Sequence, residues 1–449
     1  MKTAGKGIAI IFILILPFSR LFAGDAIITH LALQKYIKVG VNISITGWVE
    51  NVSGSNITSF KTCWRLDNGS TNMSTTINIG GGGLAPGGYY LPFTHPVALN
   101  VSSSGPHVFE IWVVATGETN YSNDTITINF TALSSYANKI NLFEEYTATW
   151  CQYCPAGNSA ANSIASLQRT AVAKFHNSDA YSFAIGETYY EAYYSGSIFT
   201  PGGMFNMGES GNYSVNSGSN TWLSEMNSRS NSISPLELSI SPSLNITSRQ
   251  LDVDLTAKFK YVESGDYYMN VYILENGISG TQTGASGTYI HNHVVRAMLG
   301  GSSGSAGIIP NTPVLNSNYT KNYSFTIPSG WDLDKLALIG LVFRKDGSLT
   351  DALNAVNYSY DNSGVEPVLA TSNSFAIYPN PAIDIITIEN TARSKRAIVS
   401  IYNIEGKLLL SQTLTLERTE MDISNFSRGL YIMKVKSDDG IYFMRFGKQ

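Results

Sequence analysis

Cysteine is scarce, with three in 449 residues. So few thiols exclude a disulfide scaffold for a chain of this length. There is no second Cys pair to join Cys151 and Cys154, which argues against a four-thiolate zinc site. Charge is sparse as well: Asp, Glu, Lys and Arg make up 14 %. No basic stripe appears, so nucleic-acid binding is unsupported. The main apolar run, Ile8 to Phe18, is too short and too soon interrupted by Arg20 to span a membrane. Gly-x-Ser-x-Gly and His-Glu-x-x-His are missing, and the acids are too scattered to nominate a hydrolytic pair. Gly80–Gly83 lacks a following Lys-Ser/Thr and reads as a turn, not a phosphate loop.

What is present is a β-rich, extracytoplasmic composition. Hydrophobic residues reach 43 %, and Ser, Thr, Asn, Gly and Tyr fill the space left by charge. Residues 1–23 read as a secretory signal, with Lys2 and Lys6 ahead of the apolar run and cleavage expected after Ala23. Its removal takes away Lys2, Lys6 and Arg20 and no acids. That leaves 26 basic against 33 acidic side chains, a formal charge of −7.

The length predicts several domains. Residues 24–134 alternate in period two, as in Phe109-Glu-Ile-Trp-Val-Val, between Asx/Gly/Ser turns; this predicts an Ig-like β-sandwich. Ser134–Lys139 reads as a linker. Residues 136–232 change pattern: an apolar strand (140–148), a helix from Ala156 to about Arg169, a strand over Ala171–His176, an irregular Tyr-rich passage (177–199), a short strand at Met204–Asn206 and a helix around Thr221–Met226. Strands alternating with helices predict an α/β unit. Residues 233–366 return to strands as a β-rich domain, which the sequence does not say folds apart from the α/β unit. Residues 367–449 hold a linker and about seven short strands, a small β-sandwich.

Trp150-Cys151-Gln152-Tyr153-Cys154-Pro155 is the best evidence of chemistry. A Cys at a helix N-terminus faces free backbone N–H groups and the positive end of the helix dipole, which favour the thiolate. The expected step is mixed-disulfide exchange, with Cys151 reacting and Cys154 resolving. Cys63, beside Trp64 in a strand-like run, reads as a buried small apolar residue. His291 and His293 would share a face if their segment is a strand, but no third ligand is placed, and no metal or cofactor is expected beyond the Cys151–Cys154 pair. His176 ends the second strand of the α/β unit, within reach of the cysteines.

The strand, Trp150, Cys151-x-x-Cys154, helix and later Thr200-Pro201 resemble the thioredoxin superfamily. The resemblance implies a cis Pro201 against the disulfide and a buried acid six residues before the first cysteine. Glu145 stands at that offset; Glu replaces the usual Asp, and neighbouring Glu144 leaves the choice open. Gln152-Tyr153 departs from the Gly-Pro of reducing thioredoxins, and a Tyr before the second cysteine is similar to glutaredoxins and periplasmic isomerases. The redox direction stays open. The site residues are therefore Cys151, Cys154, Pro201, Glu145 and Trp150.

Tyr378-Pro-Asn-Pro381, Asp384, Ile401–Lys407, Asp422-Ile-Ser, Arg428-Gly-Leu-Tyr-Ile432 and Met444-Arg-Phe-Gly-Lys448 resemble the type A sorting domain of the type IX secretion system. This implies export across the outer membrane to the cell surface or medium. It implies handling by that machinery and its sortase through residues 375–449, and release or attachment to surface lipopolysaccharide. The order of the remaining parts resembles an outer-membrane protein family found beside such sorting domains. Gly47-Trp-Val-Glu-Asn51, Ile57–Phe60 and Leu84-Ala-Pro-Gly87 resemble cell-adhesion-related Ig-like modules. Two functions follow as expectations: a surface thiol–disulfide oxidoreductase acting on protein thiols or disulfides, or a non-catalytic surface binding or structural protein with a structural Cys151–Cys154 bridge.

Overall fold

A computed structural model describes residues 24–360 and 375–449, save 32, 119, 194–199, 208, 212–220, 347–348, 391–396, 404–406, 415–416 and 438–439. The signal expected at 1–23 and the linker expected at 361–374 lie outside the described residues. The chain divides into two compact units, Met1–Tyr358 and Ser359–Gln449.

The first unit opens with β1 (Ala26–Thr29), β2 (Tyr36–Lys38), β3 (Thr46–Asn51), β4 (Ser59–Leu66), β5 (Asn72–Met73), β6 (Ile77–Asn78), β7 (Tyr89–Thr94), β8 (Gly105–Ala115) and β9 (Ile126–Leu133). They form two sheets, β1-β3-β7 and β2-β9-β8-β4-β5, with β6 added to β4. Every second residue of β8 is buried along its length, as alternation over one covered face requires. Val49, Phe60, Ile111 and Phe130 meet in the core between the sheets. Cys63 is buried in β4, and burial pushes its thiol pKa up.

Next come β10 (Ala137–Asn138), β11 (Asn141–Thr147), α1 (Cys154–Ala165), β12 (Thr170–His176), α2 (Ala184–Tyr193), β13 (Gly202–Phe205), β14 (Glu209–Gly211), α3 (Thr221–Ser228) and β15 (Ile233–Ser234). The stretch expected as a linker at 134–139 instead contains β10, which pairs antiparallel with β15. Part of the passage expected to be irregular is the helix α2. Its many tyrosines are indifferent helix formers, so propensity alone hid it; burial of Tyr189 against Phe175 and Tyr272 holds it in place.

β11 runs parallel to β12 and antiparallel to β13, which pairs antiparallel with β14. Every residue of β11 and β12 is buried, because helices cover both faces. Phe143 and Val172 pack with α1 and α3 through Ala161, Ile164, Trp222 and Met226. Leu142, Tyr146 and Phe175 point the other way, toward Tyr189 of α2.

β16 (Leu236–Asn245), β17 (Gln250–Phe259), β18 (Asp266–Glu275), β19 (Ile278–Gly280), β20 (Tyr289–His291), β21 (Val294–Met298), β22 (Ser305–Ala306), β23 (Asn318–Thr326), β24 (Leu336–Asp346) and β25 (Leu349–Ser359) complete the unit. β21 lies parallel to β12, pairing Val294 with Lys174. One nine-stranded sheet therefore runs β14-β13-β11-β12-β21-β18-β24-β25, with β22 on β18. The α/β segment and the β-rich segment after residue 233 share this sheet and its core.

The second unit contains β26 (Phe375–Tyr378), β27 (Ile385–Asn390), β28 (Ala397–Asn403), β29 (Leu408–Leu414), β30 (Arg418–Asp422), β31 (Gly429–Ser437) and β32 (Gly440–Lys448). Sheets β26-β27-β30 and β29-β28-β31-β32 close over Ile386, Val399 and Met433. The turn expected at 403–406 has its tip outside the described residues; Asn403 N–H bonds Lys407 O at 3.0 Å, and Lys407 N–H bonds Asn403 Oδ1 at 2.9 Å.

Candidate functional site

β11 delivers the chain to a tight turn at Ala148, where Cys151 N–H reaches back to the Ala148 carbonyl at 3.2 Å. The helix then starts at Cys154, two residues earlier than the periodicity predicts. Pro155 sits in its first turn, where a missing N–H costs nothing. Cys151 and Cys154 form a disulfide with their Cα atoms 5.4 Å apart. Cys154 is fully buried and Cys151 is 5 % exposed, so Cys151 is the sulfur an outside thiol can approach. Trp150 and Tyr153 are exposed on either side, and Trp150 Nε1–H donates to Asn177 O at 3.0 Å. The first turn of α1 carries no acid and no side-chain cap, so the positive end of its dipole is not neutralised.

Three further elements converge behind the disulfide. The Thr200–Pro201 peptide is cis, and Cys151 Sγ lies 3.5 Å from the Thr200 carbonyl oxygen. Pro201 packs on Gly157: a Cβ there would stand 2.5 Å from Pro201 Cβ and 2.9 Å from Glu145 Oε1. Gly157 follows Cys154 by three positions and shares its face of the helix. Only a residue without a side chain lets the helix approach both partners.

Glu145 is fully buried, and neither carboxylate oxygen accepts a hydrogen bond. Its cationic neighbour is Lys174 Nζ at 3.5 Å. Burial pushes the carboxyl up to about 7, with Lys174 pulling the other way. Lys174 is itself buried; it donates to Asn158 O, Asn158 Oδ1 and Asn162 Oδ1 at 3.2, 3.3 and 2.9 Å. Desolvation holds its ammonium below the usual lysine range. Glu144, the alternative acid, points to the opposite face of β11. Its Oε1 accepts from Tyr189 and Tyr272 at 2.8 and 3.1 Å, and burial raises it to about 7. Glu145, not Glu144, is the acid beneath α1.

No local sequence pattern marks the strap that crosses the site. Gln282, in the loop between β19 and β20, donates from Nε2 to Ala148 O at 3.0 Å and Cys151 O at 2.9 Å. Thr283 N–H bonds Thr149 O at 2.8 Å. Lys174 did carry a signal: it is the one charge inside Thr170–His176, a strand buried along its whole length.

His176 reaches the site's edge. Its Nδ1 contacts Asp179 Oδ2 at 2.7 Å, and the same oxygen accepts Thr149 N–H at 2.7 Å, tying the turn down. Burial pushes Asp179 upward, but hydrogen bonds from His176, Thr149 and Tyr181 hold it below the usual carboxylate range. His291 is also brought here, with ring centroids 5.5 Å from His176. Burial first, then the His176 charge, lowers its imidazole to about 4. His293 does not share its strand face: β20 ends at His291, and His293 turns with φ of 60°. Asn158, Lys174, His176, Tyr289 and His291 line a narrow crevice.

Against known proteins, residues 376–448 match the family "Secretion system C-terminal sorting domain". The chain carries an export tail. Residues 188–361 match "Outer membrane protein Omp28". Cys151 and Cys154 lie outside both matches. A funoran endo-beta-hydrolase of Wenyingzhuangia aestuarii is 31 % identical over 85 residues, 18 % of this chain; the chain spans only 12 % of that relative. HBP35 of Porphyromonas gingivalis is similar at 18 % identity and TM-score 0.44, over 69 % of this chain and 98 % of that one. A domain of the outer membrane lipoprotein Omp28 from the same organism shows 14 % identity and TM-score 0.20, over 28 % and 89 %. The protein is exported to the cell surface or outer membrane and is handled by the type IX secretion machinery.

Proposed function

We propose that this exported surface protein is a thioredoxin-fold thiol–disulfide exchange protein working through Cys151 and Cys154. The sheet order β14-β13-β11-β12, with α1 and α3 on one face and α2 on the other, supports the fold. The observation that carries the activity is Glu145, buried beneath the helix that starts at Cys154 with Lys174 Nζ 3.5 Å away as its charged neighbour. Burying such an acid costs several kcal/mol of desolvation, which a permanent bridge would not need. An acid raised to about 7 can give or take a proton near neutrality.

In the oxidising direction a substrate thiolate attacks Cys151 Sγ. The bond to Cys154 breaks, and its electron pair leaves on the Cys154 sulfur, which takes a proton from Glu145. A second substrate thiolate then attacks the substrate sulfur of the mixed disulfide and releases Cys151 as thiolate. The substrate loses two electrons and the Cys pair gains them. Reduction runs the same steps backward, and the partner's potential sets the direction. Pro201 and exposed Trp150 would border the substrate backbone. The substrates are protein thiols or disulfides outside the cell. A sortase would remove the tail, with release or attachment to surface lipopolysaccharide.

In the reduced protein with a disulfide substrate, Cys154→Ser is expected to accumulate a mixed disulfide and Cys151→Ser to form none. Identical behaviour of both variants and wild type would sink the proposal. The strap of Gln282 and Thr283 and the low exposure of Cys151 favour the second reading, a closed structural bridge in a surface binding protein. That reading predicts the identical behaviour.

A further inference from the structure

Three acids, Asp25 and two from some ninety residues further on, meet in the first β-sandwich. Asp25 precedes β1; Glu118 and Asp124 flank the turn between β8 and β9. Each offers a carboxylate oxygen within 4.8 Å of the others, and all three side chains are buried, at 6, 6 and 1 % exposure. Two of them have partners. Glu118 accepts Ala26 N–H at 3.0 Å and Ala115 N–H at 2.7 Å, and Asp25 accepts Asn120 and Asn123 Nδ2–H, both at 3.1 Å. Asp124 has none: both its oxygens are buried without a hydrogen bond. Among the described residues no Lys, Arg or His pairs with any of the three.

Three carboxylates packed together with no Lys, Arg or His among them repel one another strongly in a low-dielectric setting, and the single Gly24 ammonium left by the expected cleavage after Ala23 does not balance three. Burial, with Glu118 and Asp25 adding to it, pushes Asp124 up to about 7. Buried charges are normally paired or bound to a metal. An all-oxygen donor set selects hard cations over zinc or copper. Of the hard cations, Ca²⁺ accepts irregular geometry and six to eight ligands, whereas Mg²⁺ demands a near-ideal octahedron. The surroundings also fit a clamp. Gly24, with φ of 78°, lies so close to the turn that a Cβ would stand 2.7 Å from Thr116 O.

We propose that Asp25, Glu118 and Asp124 bind a calcium ion that fastens the start of β1 to the β8–β9 turn. Water completes the shell. Extracellular calcium modules hold the ion with Kd on the order of 10⁻⁴–10⁻³ M, which suits an exported protein.

The test uses the mature full-length protein, stripped with EDTA and titrated with CaCl₂. Calorimetry and thermal melts are read on wild type and Asp124→Asn. Wild type is expected to bind one Ca²⁺ and melt higher with it, and Asp124→Asn to bind at least about tenfold more weakly. The variant loses a buried, repelled charge, so in EDTA it is expected to melt at or above wild type, showing that it folds. Tb³⁺ gives a second readout: Tyr121, whose hydroxyl donates to Glu118 O at 3.0 Å, should sensitise its emission, and Ca²⁺ should quench it. No heat, no shift and no emission in folded wild type, or equal responses from both proteins, would overturn the proposal.

Discussion

At the scale of single residues the molecule stores several ionisable groups away from water, and their proton linkages oppose one another. Glu144 is raised from 4.5 to about 7 by burial. Its folded form prefers the proton, so its favourable contribution is full below pH 4.5, falls between 4.5 and about 7, and is flat above. His291 and His293 are lowered from 6.5 to about 4 by burial. Their folded forms prefer to be neutral, so stability rises with pH between about 4 and 6.5. Where both act, the histidines offset part of what Glu144, with Glu145 and Asp124 also raised to about 7, loses as pH rises. Glu144→Gln removes one arm. From pH 4.5 to 8 the stability difference should move in the variant's favour by up to about 3 kcal/mol. Urea melts at both pH values check this; a difference that does not change with pH contradicts the account.

At the scale of elements, the placement of α1 depends on one missing side chain. Gly→Ala inside a helix ordinarily stabilises by about 0.5–1 kcal/mol. At position 157 the added methyl would meet Pro201 and Glu145, and overpacking costs about 1–3 kcal/mol. The expected sign is reversed: Gly157→Ala lowers the melting temperature, and a variant melting above wild type would show that the helix has room. These elements were unevenly legible. The strand before Cys151, the strand ending at His176 and α3 stand out by apolar runs and helical spacing, signals carried by a few neighbouring residues. α2 was lost because tyrosines hide its periodicity. Gln282 was invisible because its partners, Ala148 and Cys151, lie over 130 positions away, and no local pattern reports such a contact. Lys174 was readable as a charge in an apolar strand, but its partner Glu145 is fixed by sheet register.

At the scale of the whole molecule, the sequence leaves open whether residues 233–366 fold apart from the α/β segment; one sheet continues from that segment through β21 into β18, β24 and β25. Parallel pairing of β12 with β21 joins residues about 120 positions apart, a choice set by global packing rather than local propensity. The sheet's continuation is what brings Gln282 onto Cys151 O and sets Tyr289 and His291 beside Lys174 and His176. The second unit was the most legible, because its short strands and their turns follow one another directly, and its tail sends the protein out of the cell. There the disulfide either exchanges or stays shut. The reduction potential of Cys151–Cys154 in the mature protein separates the two most directly, by equilibration with glutathione and alkylation mass shift. The account predicts a value above about −270 mV with fast exchange; a value below about −300 mV with slow exchange would contradict it and mark a structural bridge.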